Sequence, residues 1–405
     1  MGESQIYIAD KAKKHITGNF KLLHLLSWAT VAAYNPFIVV YLMHNNLSTA
    51  RIGVILMLNS IATLVGQPFW GMISDRIRSI KTVYLFTMLA ASILIVLMPF
   101  VNGGVLMFVL PPVIAFFFCS MSPLLDSWTI QSIRNSGKSY GSFRLWGSLG
   151  FSIIVIINGK LISLTFVNII FVVFGILSLL TLSMCAVFFH YTQEEAGGSN
   201  APALSLKEMK VGRLLKNFNY TIFIFLSCIT FINMTSVYSF LATLIRQVGG
   251  DDNLYGIANA ISAFSEVPIL LISSRLVKKY RPQVLILAGM LVYALRLFIY
   301  SIARGPELIL FCQALNGLSF GMFLPGSIYY IHSLAPAELK ATAQTVATAI
   351  YAGLSGIIGN VVTGNMISQL GIFSVYRTGA YIQFFVCILF LISMLIGYRP
   401  GKAET

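Results

Sequence analysis

Twelve runs of roughly twenty predominantly apolar residues, separated by short polar segments, limit what this chain can fold into. About 20 residues of α-helix cross a hydrocarbon core, and a helix satisfies its own backbone N–H and C=O groups there. The runs fall at 22–43, 50–71, 82–101, 105–127, 142–163, 167–190, 219–245, 254–274, 283–303, 307–331, 342–369 and 377–398. Of the 405 residues 57% are hydrophobic and 10% charged, against about 25% charged in soluble domains. The expected fold is an all-α polytopic membrane protein of twelve transmembrane helices, whose even number puts both termini on one side.

The net charge of +14 invites a nucleic-acid reading, but the basic residues are scattered through short loops and form no single basic face. The positive-inside rule accounts for the scatter. Of the 27 lysines and arginines, twenty fall on the amino-terminal side of the spans, five on the other side (Arg51, Lys160, Arg246, Arg304 and Arg377), and Arg144 and Arg296 lie within spans. That bias predicts a multi-pass protein of the cell membrane with both termini cytoplasmic. Lys11, Lys13 and Lys14 precede the first span without a small-residue cleavage site, so a retained span is expected there, with no signal peptide.

The longest polar stretch follows the sixth span and divides the chain into an amino-terminal six-helix bundle (1–190), a cytoplasmic linker (191–218) and a carboxyl-terminal six-helix bundle (219–405). The halves echo one another. Tyr34, Gly53, Pro68 and the basic loop at Arg76 recur in order as Tyr238, Gly256, Pro268 and the loop at Arg275. This order predicts two pseudo-symmetric bundles in parallel orientation.

Charges inside spans are the candidate functional residues, because an ionised side chain at the bilayer centre costs roughly 2.5–3.5 kcal/mol on insertion scales. Arg144, Ser148 and Phe151 are spaced i, i+4, i+7 and share a helix face, with Asp126 in the preceding span. Asp126 and Arg144 either contact a polar solute or tie spans four and five together. Glu266 either carries a proton or hydrogen-bonds a neighbouring helix. Tyr34, Asn35, Gln67, Asn233, Tyr238, Gln313 and Asn316 are ligand contacts or interhelical glue, the latter worth about 0.6 kcal/mol each. The aromatics, among them Trp28, Trp70, Trp128 and Trp146, are expected mostly near span ends.

Gly71, Asp75 and Arg76 after the second span match the Gly-x-x-x-Asp-Arg loop of the major facilitator superfamily, which this chain resembles over nearly its whole length. The resemblance implies that these three form a conformational latch, with Gly71 allowing close helix approach. Within the superfamily the chain is most similar to the branch of lactose permease and the proton-linked nucleoside and phenylpropionate carriers, through Arg144-Leu-Trp-Gly-Ser148-Leu-Gly-Phe151. That branch implies substrate binding by Asp126, Arg144, Ser148 and Phe151, with Arg296 in span nine opposite. The histidine and glutamate of the branch's tenth span fall on Asn316 and Ser319. Glu266 in span eight is then the acid left for proton coupling, with Asp126.

No Gly-rich phosphate loop, metal-ligand spacing or nucleophile motif is present, so neither a cofactor nor a metal is expected, and the chain does not read as an enzyme. The five cysteines lie in spans without paired spacing. The resulting expectation is a monomeric secondary transporter importing a sugar, nucleoside or aromatic acid with protons; the partners are the solute, the proton and the lipid bilayer, and no nucleic acid. The alternatives are a proton-driven exporter of amphipathic compounds and a non-transporting receptor on the same fold.

Overall fold

A computed structural model describes residues 2–101, 104–133, 141–188, 214, 216–336 and 339–397, without the side chains of 2–16, 133, 188, 236, 270, 274, 340–342 and 397. Most of the linker expected over 191–218 lies outside these residues. Regular structure among the described residues is helical throughout, and twelve segments are long and apolar enough to cross a membrane. They are α1 Thr17–His44, α2 Thr49–Ile77, α3 Ile80–Phe100, α4 Leu106–Ser132, α5 Gly141–Leu164, α6 Ile169–Val187, α7 Phe218–Gln247, α8 Asp252–Ser273, α9 Pro282–Ile302, α10 Pro306–Leu334, α11 Ala343–Leu370 and α12 Ile372–Ile396. Each coincides with an expected apolar run, apart from several residues at the ends.

Local chemistry sets many of these ends. Ser79 caps α3 by accepting from Thr82 N–H, Asn217 caps α7 by accepting from Asn219 and Tyr220 N–H, and Asp251 caps α8 by accepting from Leu254 N–H. Pro282 and Pro306 open α9 and α10, where a missing N–H is harmless. Gly371, at φ 77°, makes the turn between α11 and α12. α2 runs farther than expected: Gly71, Asp75 and Arg76 lie in its last turns, and the helix stops at Arg78, whose φ is 55°.

The chain divides into two compact units, Met1–Asn46 with Ile61–Ser199, and Leu47–Ser60 with Asn200–Thr405. In the first, α1 packs along α5 and α6, around a core that includes Phe20, Leu23, Tyr84, Met88 and Phe143. In the second, α9 packs on α10 and α12, α8 on α10, and α7 on α11 and α12, around Phe223, Phe323, Tyr330, Tyr351 and Phe390. Large apolar side chains such as Val65, Leu179, Ile176 and Phe385 stay exposed, as lipid-facing surfaces require.

Several helices are irregular where they pass buried polar groups. α7 is kinked at Phe240 (φ −115°, ψ 16°), α10 is interrupted at Leu315, and α11 carries a π-helical segment, Ala349–Leu354. The π segment turns Tyr351 into the core, its ring 4.8 Å from that of Phe231. Such bulges free backbone groups that neighbouring helices then satisfy.

Candidate functional site

The polar centre of the second unit is built on α8, α9 and α10. Arg296, on α9, is 2% exposed. Its Nη1 donates to Asn316 Oδ1 at 2.6 Å and Ser319 Oγ at 2.8 Å, and its Nη2 donates to Tyr300 Oη and Gln313 Oε1, both at 3.3 Å. Asn316 uses its other end on α8, Nδ2 donating to Glu266 Oε1 at 2.7 Å. One amide thus links a guanidinium and a carboxylate from two helices. Charge-assisted bonds of this kind are roughly twice as strong as neutral ones.

Close backbone approach makes the link possible. Gly317, directly after Asn316, lies against the Ser265 carbonyl so tightly that a Cβ would collide with it, and Gly317 N–H donates to Ser265 Oγ at 2.9 Å. Residues 265 and 317 in contact bring their neighbours Glu266 and Asn316 face to face. The interruption at Leu315 lets Gln313 and Asn316, on either side of it, both reach Arg296.

Arg296, Gln313 and Asn316 border a small, partly open pocket. Tyr293, Arg296, Gln313 and Asn316 form one wall, Asn259 and Ser262 of α8 another, and Met234, Val237, Tyr238 and Leu241 of α7 supply the apolar side. Three buried donors on the cavity lining have no hydrogen-bond partner: Arg296 Nε, Gln313 Nε2 and Tyr293 Oη. Buried donors are nearly always satisfied, so three on one wall are an unfilled demand for acceptor atoms. The arrangement suits a solute with several oxygens and a partly apolar surface.

In the first unit, Arg144 on α5 lies with its Cζ 3.5 Å from the centroid of the Trp28 ring of α1. Ser148 and Phe151 are half-buried on the same helix, and Asp126 is half-buried on α4. Near them His24 is fully buried, with Nε2 2.8 Å from Thr129 Oγ1, and Ser27 Oγ is 2.7 Å from Tyr84 Oη.

The structure therefore brings Glu266, Arg296, Gln313 and Asn316 together and gives Arg144 an aromatic neighbour. The other expected residues lie outside this cluster. Asn35 sits exposed in the turn between the two helical pieces of α1, where Pro36 interrupts the helix. Gly71 has open space around it, and Asp75 and Arg76 are exposed. Asn233 is interhelical glue, its Nδ2 donating to Gln383 Oε1 and Gly379 O on α12. Trp70 is 6% exposed and its Nε1 donates to Phe116 O, while Trp28 is half-buried beside Arg144. Tyr293, Tyr300, Asn259 and Ser262 were missed, although Tyr293 and Tyr300 stand at i−3 and i+4 from Arg296, a spacing that puts them on its face.

Twelve helices long and apolar enough to cross a membrane, with a buried arginine beside a polar pocket in the second unit, describe a multi-pass membrane protein. The chain belongs to the MFS_1 like family, whose model matches residues 18–378. It is 27% identical over 388 residues to the maltose permease of Geobacillus stearothermophilus, covering 95% of each chain, and 21% identical over 398 residues to the sucrose permease of Escherichia coli, covering 92% of this chain and 91% of the other. The crystal structure of the nucleoside transporter NupG shares the fold, with a TM-score of 0.82 at 18% identity over 95% of this chain and all of that one. This protein is a permease of the major facilitator type, and its relatives are transporters, not enzymes.

Proposed function

We propose that this permease imports a small polar organic solute, a sugar before a nucleoside or an aromatic acid, together with a proton by alternating access. The observation that carries the reading is the pair Arg296 and Asn316 on the wall of a pocket with unfilled donors, Asn316 also bonded to Glu266. Sugar hydroxyls can accept from Arg296 Nε, Gln313 Nε2 and Tyr293 Oη, while Met234 and Tyr293 cover the apolar face of a ring. The names of the maltose and sucrose relatives support a sugar as first substrate.

Glu266 is the proposed proton carrier. Protonation would weaken its acceptance from Asn316 and so alter the amide that also restrains Arg296, coupling the proton to the site without a histidine. Arg144, Asp126, Ser148 and Phe151 are proposed as substrate ligands of the first unit, Asp126 also as a second proton group, and Asp75 with Arg76 as a latch. The basic bias supports cytoplasmic termini in the cell membrane, and a monomer suffices for this mechanism.

The test is uptake by purified protein in liposomes with an imposed inward proton gradient, using radiolabelled maltose, sucrose and uridine in turn. The expected result is uphill accumulation of at least one, abolished by a protonophore. Uptake that ignores the gradient would contradict coupling, and transport only out of the trans compartment would contradict import.

A further inference from the structure

The indole of Trp28 lies against the guanidinium of Arg144. The guanidinium lies over its ring at 3.5 Å, closer than the roughly 6 Å limit of a cation–π contact. The same ring is held from the α5 side one turn further on, where a Cβ at Gly147 would come within 2.5 Å of Trp28 Cδ1. α5 therefore approaches the indole closely at both Arg144 and Gly147. A guanidinium stacked by its face keeps its in-plane N–H groups available for hydrogen bonding. Arg144 Nη1 is buried without a hydrogen-bond partner, and so is Trp28 Nε1 beside it.

We propose that Trp28 is a positioning residue for substrate binding: its ring fixes the plane of Arg144 so that the unfilled Nη1–H edge is presented, already oriented, to an acceptor oxygen of the solute. The proposal rests on the reading of Arg144 as a substrate ligand. Because the stacking needs an aromatic face and not the indole nitrogen, phenylalanine substitutes for tryptophan and leucine does not. Orientation acts on binding, so the effect falls on KM and leaves the maximal rate nearly unchanged.

Two measurements on full-length protein test this, the first without any substrate. Phenylglyoxal modification of Arg144, followed by peptide mass spectrometry with Arg296 as internal control, should speed up about fivefold or more in Trp28→Leu, while Trp28→Phe stays close to the parent and Arg296 is unaffected. Equal Arg144 labelling in all three proteins overturns the proposal, as does equal acceleration in both variants. In the second, maltose uptake into liposomes, Trp28→Leu should raise KM about tenfold, the equivalent of ~1.4 kcal/mol of lost orientation, with Trp28→Phe within about threefold of the parent. An unchanged KM in Trp28→Leu overturns the proposal. If the parent protein takes up no maltose, the sugar reading fails, and the labelling result still decides the role of Trp28.

Discussion

Glu266 and Asn316 are bonded across two helices, Asn316 Nδ2 donating to Glu266 Oε1 at 2.7 Å, while Oδ1 of the same amide accepts from Arg296 at 2.6 Å. An asparagine amide can donate to a carboxylate through its nitrogen while accepting from a guanidinium through its oxygen. Asn316→Leu should therefore remove one hydrogen-bond partner from each charge. We expect a fall in melting temperature of several degrees and loss of uptake by at least about tenfold, since removing a partner from a buried charged group costs on the order of 3 kcal/mol. Thermal denaturation in detergent and uptake in liposomes check it, and full stability with full transport would show that the bridge has no such role.

Arg296 makes four hydrogen bonds and still has Nε unfilled. Arg296→Gln is expected to keep the protein folded but to weaken solute binding by about tenfold or more, the worth of one charge-assisted bond to a ligand. Isothermal titration of the best solute from the uptake screen reads this out. Unaltered affinity would remove Arg296 from the site.

Gly317 sets the α8–α10 crossing by lying against the Ser265 carbonyl. Gly317→Val must push the helices apart, with an expected destabilisation of about 1–3 kcal/mol and a lower melting temperature. Transport should fall with it, because Glu266 and Asn316 separate. A fully stable, fully active Gly317→Val protein would mean that the crossing is not as tight as described.

The spans were legible because a hydrocarbon slab imposes one length on every helix, and apolar run length carries that signal directly. Arg144 and Arg296, the two cations within spans, stood out for the same reason. What stayed hidden depends on contacts between distant segments. Whether Glu266 meets Asn316 is decided by the fit of Gly317 to Ser265, residues 52 positions apart with no local pattern. Trp28 resembled any span aromatic until its contact with Arg144 was seen. The interruption of α10 at Leu315 has neither proline nor glycine at its centre to announce it. Gly71 fitted a familiar motif, yet the space around it is open.

The central claim is that Glu266 couples a proton to solute movement from the Arg296 site, and Glu266→Gln tests it most directly. Glutamine still offers an Oε1 to Asn316, so the fold and the bridge survive while the titratable group is gone. Solute accumulation under an imposed proton gradient, measured beside solute exchange with no gradient, is the decisive pair. The account predicts that Glu266→Gln retains exchange and loses uphill accumulation; accumulation equal to the parent's would contradict it.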